Sequence, residues 1–303
     1  MDMIHVEGYY MMQYLPDDCP VPVVLVEENV EYLLDKASEN LGISDETECS
    51  WQRTAQIERN AWDRAQLCAA VSNDDLYHMR TIRPDLDLRW SPDGADHLVR
   101  LEPDSWRLVD DCSEDSLTVS FVGNFTYPPS EDAAVYLLEE VWPIVCAAVP
   151  QANLVIAGIG PSQRMRDTSA KLPRVELTGM VDSIAEVLDN SHVFVAPLRV
   201  GGGVKVKVLE AVVRGCPILT TPVGIQGLPS AVREAIDVQP QAKIADALVD
   251  LLCDRTRRLQ MSTSMRSAAD LLPSWDDAAR FLWEIWTDVC LGSRRIQSEG
   301  PSR

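Results

Sequence analysis

The 303-residue chain carries 27 Lys and Arg against 47 Asp and Glu, a net charge of −20, with 46% hydrophobic residues. That balance excludes a protein held to nucleic acid by phosphate neutralisation, or to an anionic bilayer by charge, because each needs a basic face. The length fits two domains of roughly 100–200 residues each, and no apolar run approaches the ~18–20 residues of a membrane span. Eight cysteines without CxxC spacing predict reduced thiols and a cytoplasmic setting, with Cys146 and Cys253 buried in apolar helical patterns. Four scattered histidines and no HExxH or CxxC pattern predict no dedicated metal site.

The chain opens on a strand, Asp2–Val6, which places His5 and Glu7 at a strand end as the candidate catalytic groups. Val21–Leu34 predicts a strand running into a helix. Glu27, Glu28 and Glu31 then fall in a cleft or at a solvated helix start, where acidic residues are favourable. Residues 51–70 have a helical pattern, with Gln66–Asp74 as a strand ending in a Ser-Asn-Asp-Asp turn. Ser91–Asp96 is a turn before the next domain, so residues 1–105 are expected to form a first, α/β domain. Its only glycines are Gly8, Gly42 and Gly94, so it holds no glycine-rich loop.

From residue 117 short apolar strands alternate with amphipathic helices. The strands are Leu117–Val122, Leu154–Ala157, Val175–Leu177, Val193–Ala196, Ile218–Thr220 and Ala235–Val238. Unbroken apolar strands are those of a parallel sheet covered on both faces, and the repetition predicts a doubly wound, Rossmann-like domain over 116–273. Two further helices fill 241–270, a helix with a broad apolar face spans 274–292, and residues 293–303 form a polar tail.

The stretch 195–228 is the richest in chemistry. Gly201, Gly202 and Gly203 separate a buried strand from a helix bearing Lys205, Lys207 and Glu210. Glycines there let the backbone approach a ligand, and the N–H groups of a helix start favour an anion such as phosphate. Lys205 and Lys207 cannot both face one phosphate, since i,i+2 positions diverge on a helix; Lys205, or the turn before it, is expected to take that role. Glu210 is placed to accept hydrogen bonds from sugar hydroxyls. Gly123 and Asn124 end one strand, and Gly158 and Gly160 end another as turn formers. Gly179 and Met180 follow a third.

The series PLRVGGGVKVKVLEA, GCPILTT and GIQGL resembles the family 4 glycosyltransferases of the GT-B fold. FVGN with Tyr127-Pro128, LVIAGIGP, VELTGMVD and SWD match that family in order, so the resemblance covers roughly 116–290. It implies a complete C-terminal domain binding a nucleoside-diphosphate sugar through Gly123, Asn124, Gly179, Met180, Gly202, Gly203, Lys205, Lys207 and Glu210. It further implies sugar transfer to an acceptor hydroxyl with retention of configuration, no metal and no other cofactor. Glu210 would hold the nucleotide ribose, as the second Glu of the family's E-x7-E pair; the first position is Gly202. Asn124 stands where a basic residue often meets the phosphate. The last helix would pack back on the N-terminal domain. That domain is shortened relative to the family, which predicts an open sheet edge and an uncovered face. A homodimer or a heteromeric partner chain would complete it. The alternative reading is a non-catalytic or half-enzyme subunit that works with such a partner.

Overall fold

The computed structural model describes residues 2–43, 50–96, 98 and 116–298, with side chains described up to residue 292. Its two compact units draw on residues 1–94, 202–204 and 273–303 for the first, and 95–201 and 205–272 for the second.

In the first unit, β1 (Ile4–Glu7) and β2 (Val23–Glu27) lead to α1 (Glu31–Asn40) and α2 (Trp51–Arg64). After these come β3 (Leu67–Ala70), α3 (Asn73–Ile82) and β4 (Leu88–Trp90). The strands form one parallel sheet in the order β1-β2-β3-β4. β2 and β3 are buried at every position, as central strands covered on both faces must be. Tyr32, Trp62 and Met79 cover one face, packing with Val6 and Leu25. Where the sequence suggests only a turn after β3, the structure begins α3: the Ser72 hydroxyl accepts the Asp75 N–H at 3.0 Å and caps the helix. Ser72 is 1% exposed, so no water replaces that bond. Ser72→Ala is expected to cost about 1 kcal/mol, seen as a lower urea midpoint with an unchanged slope.

The second unit is a six-stranded sheet in the order β10-β9-β8-β5-β6-β7, with every pairing parallel. In chain order it runs β5 (Leu117–Val122), α4 (Pro128–Tyr136), a π-helical turn (Leu137–Val141), α5 (Trp142–Ala148) and β6 (Ala152–Ala157). Next come α6 (Gln163–Ser169), β7 (Val175–Gly179), α7 (Ile184–Asp189), β8 (Val193–Ala196) and α8 (Val206–Val213). Finally come β9 (Ile218–Thr220), α9 (Ser230–Glu234), β10 (Asp237–Val238), α10 (Ile244–Cys253) and α11 (Arg255–Ala269). Prolines in the first turn start α4, where the missing N–H costs nothing. Ser162, Ser183 and Asp254 cap α6, α7 and α11 through their side-chain oxygens. Cys146 is half-buried, but Cys253 is exposed at the last position of α10, against the expectation of a buried thiol.

The chain then returns to the first unit as α12 (Trp275–Ser298). Ser274 and Asp277 cap each other reciprocally: the Ser274 hydroxyl accepts the Asp277 N–H at 3.1 Å, and the Asp277 carboxylate accepts the Ser274 N–H at 3.0 Å. Gly94 lets this helix start settle; a Cβ there would lie 2.4 Å from the Trp275 nitrogen. Ile285 and Val289 pack on Val24, Val26, Leu67 and Ala69, the second face of the β1–β4 sheet. The expected uncovered face is therefore corrected, because α12 fills it; β1 and β4 are the sheet edges. α12 extends through residue 298, past the expected helix end, and the tail beyond it lies outside the described residues. Among the described residues no helix is long and apolar enough to cross a membrane.

Candidate functional site at the carboxyl end of the second sheet

The strand order of the second sheet reverses between β5 and β8, and a doubly wound sheet offers its ligand crevice beyond the carboxyl ends of the strands at that point. The turns leaving β5, β6 and β7 are tied side by side there. The Gly123 N–H donates to the Ala157 carbonyl at 3.0 Å, and the Gly158 N–H to the Gly179 carbonyl at 2.8 Å. Gly158, at φ +146°, passes so close that a Cβ would lie 1.7 Å from the Gly123 carbonyl oxygen. Asn124 is occupied in its own turn, its side-chain oxygen accepting from the Thr126 N–H at 3.0 Å and the Thr126 hydroxyl at 2.7 Å. Gly179 faces open space, and Met180 beside it is 79% exposed.

α8 enters this corner without a side-chain cap; Lys205 is its N-cap residue. The first bonds of the helix run from the Val208 and Leu209 N–H groups to the Lys205 carbonyl, so the N–H groups of Val206 and Lys207 precede the ladder. The Lys207 ammonium donates to the Ser130 hydroxyl at 2.9 Å and sits 5.1 Å from the centre of the Phe121 ring. A Cβ on Gly123 would be 3.2 Å from the same nitrogen. Burial pulls the Lys207 amine down to about 8, partly offset by the Glu210 carboxylate on the next turn. Lys205, the lysine expected to face phosphate, is 8% exposed and lies along Gly201, where a Cβ would meet its Cε at 2.7 Å. Glu210 is half-buried on α8. Arg199 holds the loop before the glycines by a bidentate pair with Asp132 of α4, and it lies over the Tyr136 ring. The sequence gives no signal for that pair, whose members stand 67 positions apart. Gly202 and Gly203 group with the first unit, where Gly203, at φ +55°, would bring a Cβ within 2.2 Å of the Glu28 carbonyl oxygen.

In the first unit His5 and Glu7 do meet, the ring Nε2 lying 2.6 Å from the Glu7 carboxylate. The other ring nitrogen accepts the Trp286 indole N–H at 3.1 Å, which assigns the His5 proton to the side of Glu7. Neither the cleft nor the solvated reading holds for Glu27, which is 1% exposed. Its carboxylate accepts the Trp62 indole N–H at 2.9 Å and the Tyr9 N–H at 3.0 Å. Glu58, fully buried, accepts the N–H groups of Glu31 and Tyr32 at 2.8 and 3.3 Å and so caps α1 from outside. Burial, reinforced by their mutual repulsion on the Glu27 side, raises both carboxyls to about 8. A legible signal existed for Glu58. It lies on the α2 stripe of Thr54, Ala55, Ala61 and Trp62, at the spacing of a buried face.

A cavity of about 470 Å³ opens elsewhere in the second unit, beside β7 and α7. Glu176, Asp182 and Glu186 line it with no lysine or arginine, so it is unsuited to an anion. The anion-favouring corner is the one built by Gly123, Ser130 and α8.

A parallel doubly wound unit of this order, joined to a second parallel α/β unit, defines the GT-B architecture, and similar solved structures have it. Sucrose-phosphate synthase from Thermosynechococcus elongatus aligns with a TM-score of 0.74 over 96% of this chain and 74% of that one, at 16% identity. Anabaena HepE, in complex with UDP and glucose, aligns with a TM-score of 0.69 over 95% of this chain and 78% of its own, at 11% identity. Residues 116–254, a little under half of the chain, match the family model described as glycosyl transferases group 1. A curated relative, the phosphatidylinositol N-acetylglucosaminyltransferase gpi3 subunit of Schizosaccharomyces pombe, is 27% identical over 187 residues. That match takes in 59% of this chain and 40% of the relative, so the chain spans less than half of that protein's length.

Proposed function

We propose that the protein binds a nucleoside-diphosphate sugar at the carboxyl end of the β5–β10 sheet and transfers the sugar to an acceptor hydroxyl. The observation that carries this reading is the corner where the uncapped start of α8, the Lys207 ammonium and the Gly123 turn converge, with Glu210 one turn along. The N–H groups of Val206 and Lys207 and the lysine charge would stabilise the departing diphosphate, the role a metal plays elsewhere. Glu210 would accept the ribose hydroxyls, and Gly179 and Met180 would flank the base. Transfer with retention of configuration and without a metal is part of the proposal.

The reading is tested by calorimetric titration with UDP, GDP, ADP and dTDP. One of them should bind, and Glu210→Ala should weaken it by about 1–3 kcal/mol, the cost of leaving buried hydroxyls unpaired. A folded wild type that binds none of the four would overturn the assignment. A second reading has its own support: the gpi3 relative is named as a subunit. On that reading the chain works within a heteromeric complex, nucleotide binding persists, and turnover appears only when a partner is added.

A further inference from the structure

Arg59 of α2 is a cation without a counter-charge in a chain whose net charge is −20. A guanidinium has five N–H donors and no acceptor. Among the described residues none of the Arg59 donors meets a hydrogen-bond or ion-pair partner, and its Nε is closed off from solvent. The group lies over the buried Tyr32 ring of α1, its central carbon 5.4 Å from the ring centre. The nearby carboxylates are committed elsewhere. Asp63, one turn along α2, pairs with Arg83; Glu58 caps α1; Asp35 accepts the Thr54 hydroxyl. Asp75 accepts the Ser72 hydroxyl and the Val30 N–H.

A second unused donor stands beside it. The Tyr32 hydroxyl bonds to Nε2 of His78 on α3, and the two ring centres are 5.6 Å apart. With the hydroxyl donating, the imidazole proton sits on Nδ1, which has no hydrogen-bond partner among the described residues. Burial lowers the proton affinity of His78, Asp75 raises it, and the Arg59 charge lowers it again, so Arg59 stands within electrostatic reach of that ring. Three helices thus gather a guanidinium and an imidazole N–H around one buried phenol. Donors closed off without an acceptor are costly until one arrives. The guanidinium fork takes two oxygens of one anion, and a carboxylate then has no third oxygen for the imidazole. A phosphate group has.

We propose that Arg59 and His78 form a phosphate-binding site on the first unit, made of residues other than those assigned to the nucleotide. Arg59 takes two phosphate oxygens in its fork, His78 donates to a third, and the Tyr32 ring backs the guanidinium and holds its plane. The group recognised is the same in free phosphate and in a phosphate monoester of an organic molecule. The site stands on its own observations, so it does not depend on nucleotide binding in the second unit.

The test follows the imidazole signals of histidine-labelled protein by NMR, the His78 signal being the one lost in His78→Gln. Inorganic phosphate, glycerol 3-phosphate, glycerol and acetate are each titrated to about 10 mM, which reaches a millimolar site. The His78 signal should shift saturably with a phosphate-bearing probe and should not respond to glycerol or acetate. Tighter binding of glycerol 3-phosphate assigns the site to a phosphate monoester; equal or tighter binding of inorganic phosphate assigns it to the free ion. Phosphate held at the nucleotide corner would leave the His78 signal where it is, which separates the two sites. Arg59→Gln should weaken the phosphate response roughly tenfold or more. Arg59→Lys, which keeps the charge and loses the fork, should recover only part of it. Circular dichroism establishes that both variants are folded, and the wild-type titration stands as evidence without them. A His78 signal that neither phosphate probe moves overturns the proposal. So does an equal response to acetate, or undiminished phosphate binding by Arg59→Gln.

Discussion

Gly158→Ala should destabilise the second unit by about 3–5 kcal/mol, the range of severe core overpacking, and lower its melting temperature by roughly 10 °C. The added carbon would lie 1.7 Å from the Gly123 carbonyl oxygen, a backbone atom with no rotamer to escape into. Relief requires moving the β5 turn off the β6 turn, which breaks the Gly123–Ala157 bond and shifts the ground under Lys207. Nucleotide binding should weaken in whatever fraction stays folded. Gly179→Ala is the matched control: its φ of +71° is also unfavourable to alanine, but open space surrounds the new methyl. It should cost about 1–2 kcal/mol, the price of the backbone conformation alone. Equal melting temperatures for the two variants would refute the account of the packed turns.

The first unit should become more stable on acidification from pH 8 to about 5.5. Glu27 and Glu58 are raised to about 8 in the folded chain, against about 4.5 when exposed, so between those values the native state binds more protons than the unfolded one. Stability then falls as pH rises through the window and is regained as pH drops. One proton of difference is worth about 1.4 kcal/mol per pH unit, which gives on the order of 3 kcal/mol for each of the two carboxyls over this range. Carboxylates held below their usual range, such as Asp85 and Asp277, lose their contribution only at lower pH and do not oppose the trend. Thermal melts followed by tryptophan fluorescence in the first unit would record it. Glu27→Gln cannot ionise and should flatten the slope, whatever its effect at pH 8. A melting temperature that falls between pH 8 and 5.5 would contradict the buried-acid reading.

Why some of this was legible in the sequence, and some not, follows from range. Leu117–Val122, Val193–Ala196 and Ile218–Thr220 are strands at the residues expected, because a strand covered on both faces must be apolar without interruption. β4 escapes that rule: it is three residues long with Arg89 facing out, and the strand beside it decides its conformation. The glycine turns were visible as composition, but which glycine a neighbour forbids to change depends on another strand's carbonyl. Gly158 and Gly179 look alike in the sequence and differ wholly in space. The two lysines diverge as helical spacing requires, and the sequence favoured Lys205; only packing shows that Lys207 reaches Ser130. Buried acids are the hardest case, since a glutamate before a helix ordinarily signals solvent, and Glu27 is enclosed by Tyr9 and Trp62 from separate elements.

The placement of α12 bears on how the chain comes off the ribosome. The β1–β4 sheet precedes the second unit in the chain, yet Ile285 and Val289, which cover one of its faces, follow that unit. The second unit, continuous apart from three glycine-loop residues, can complete its core while that sheet still waits. During synthesis the nascent β1–β4 sheet therefore shows Val24, Val26, Leu67 and Ala69 to its surroundings, a surface for chaperones to guard. A premature stop before residue 285 would leave the β1–β4 sheet made but without the residues that cover one of its faces.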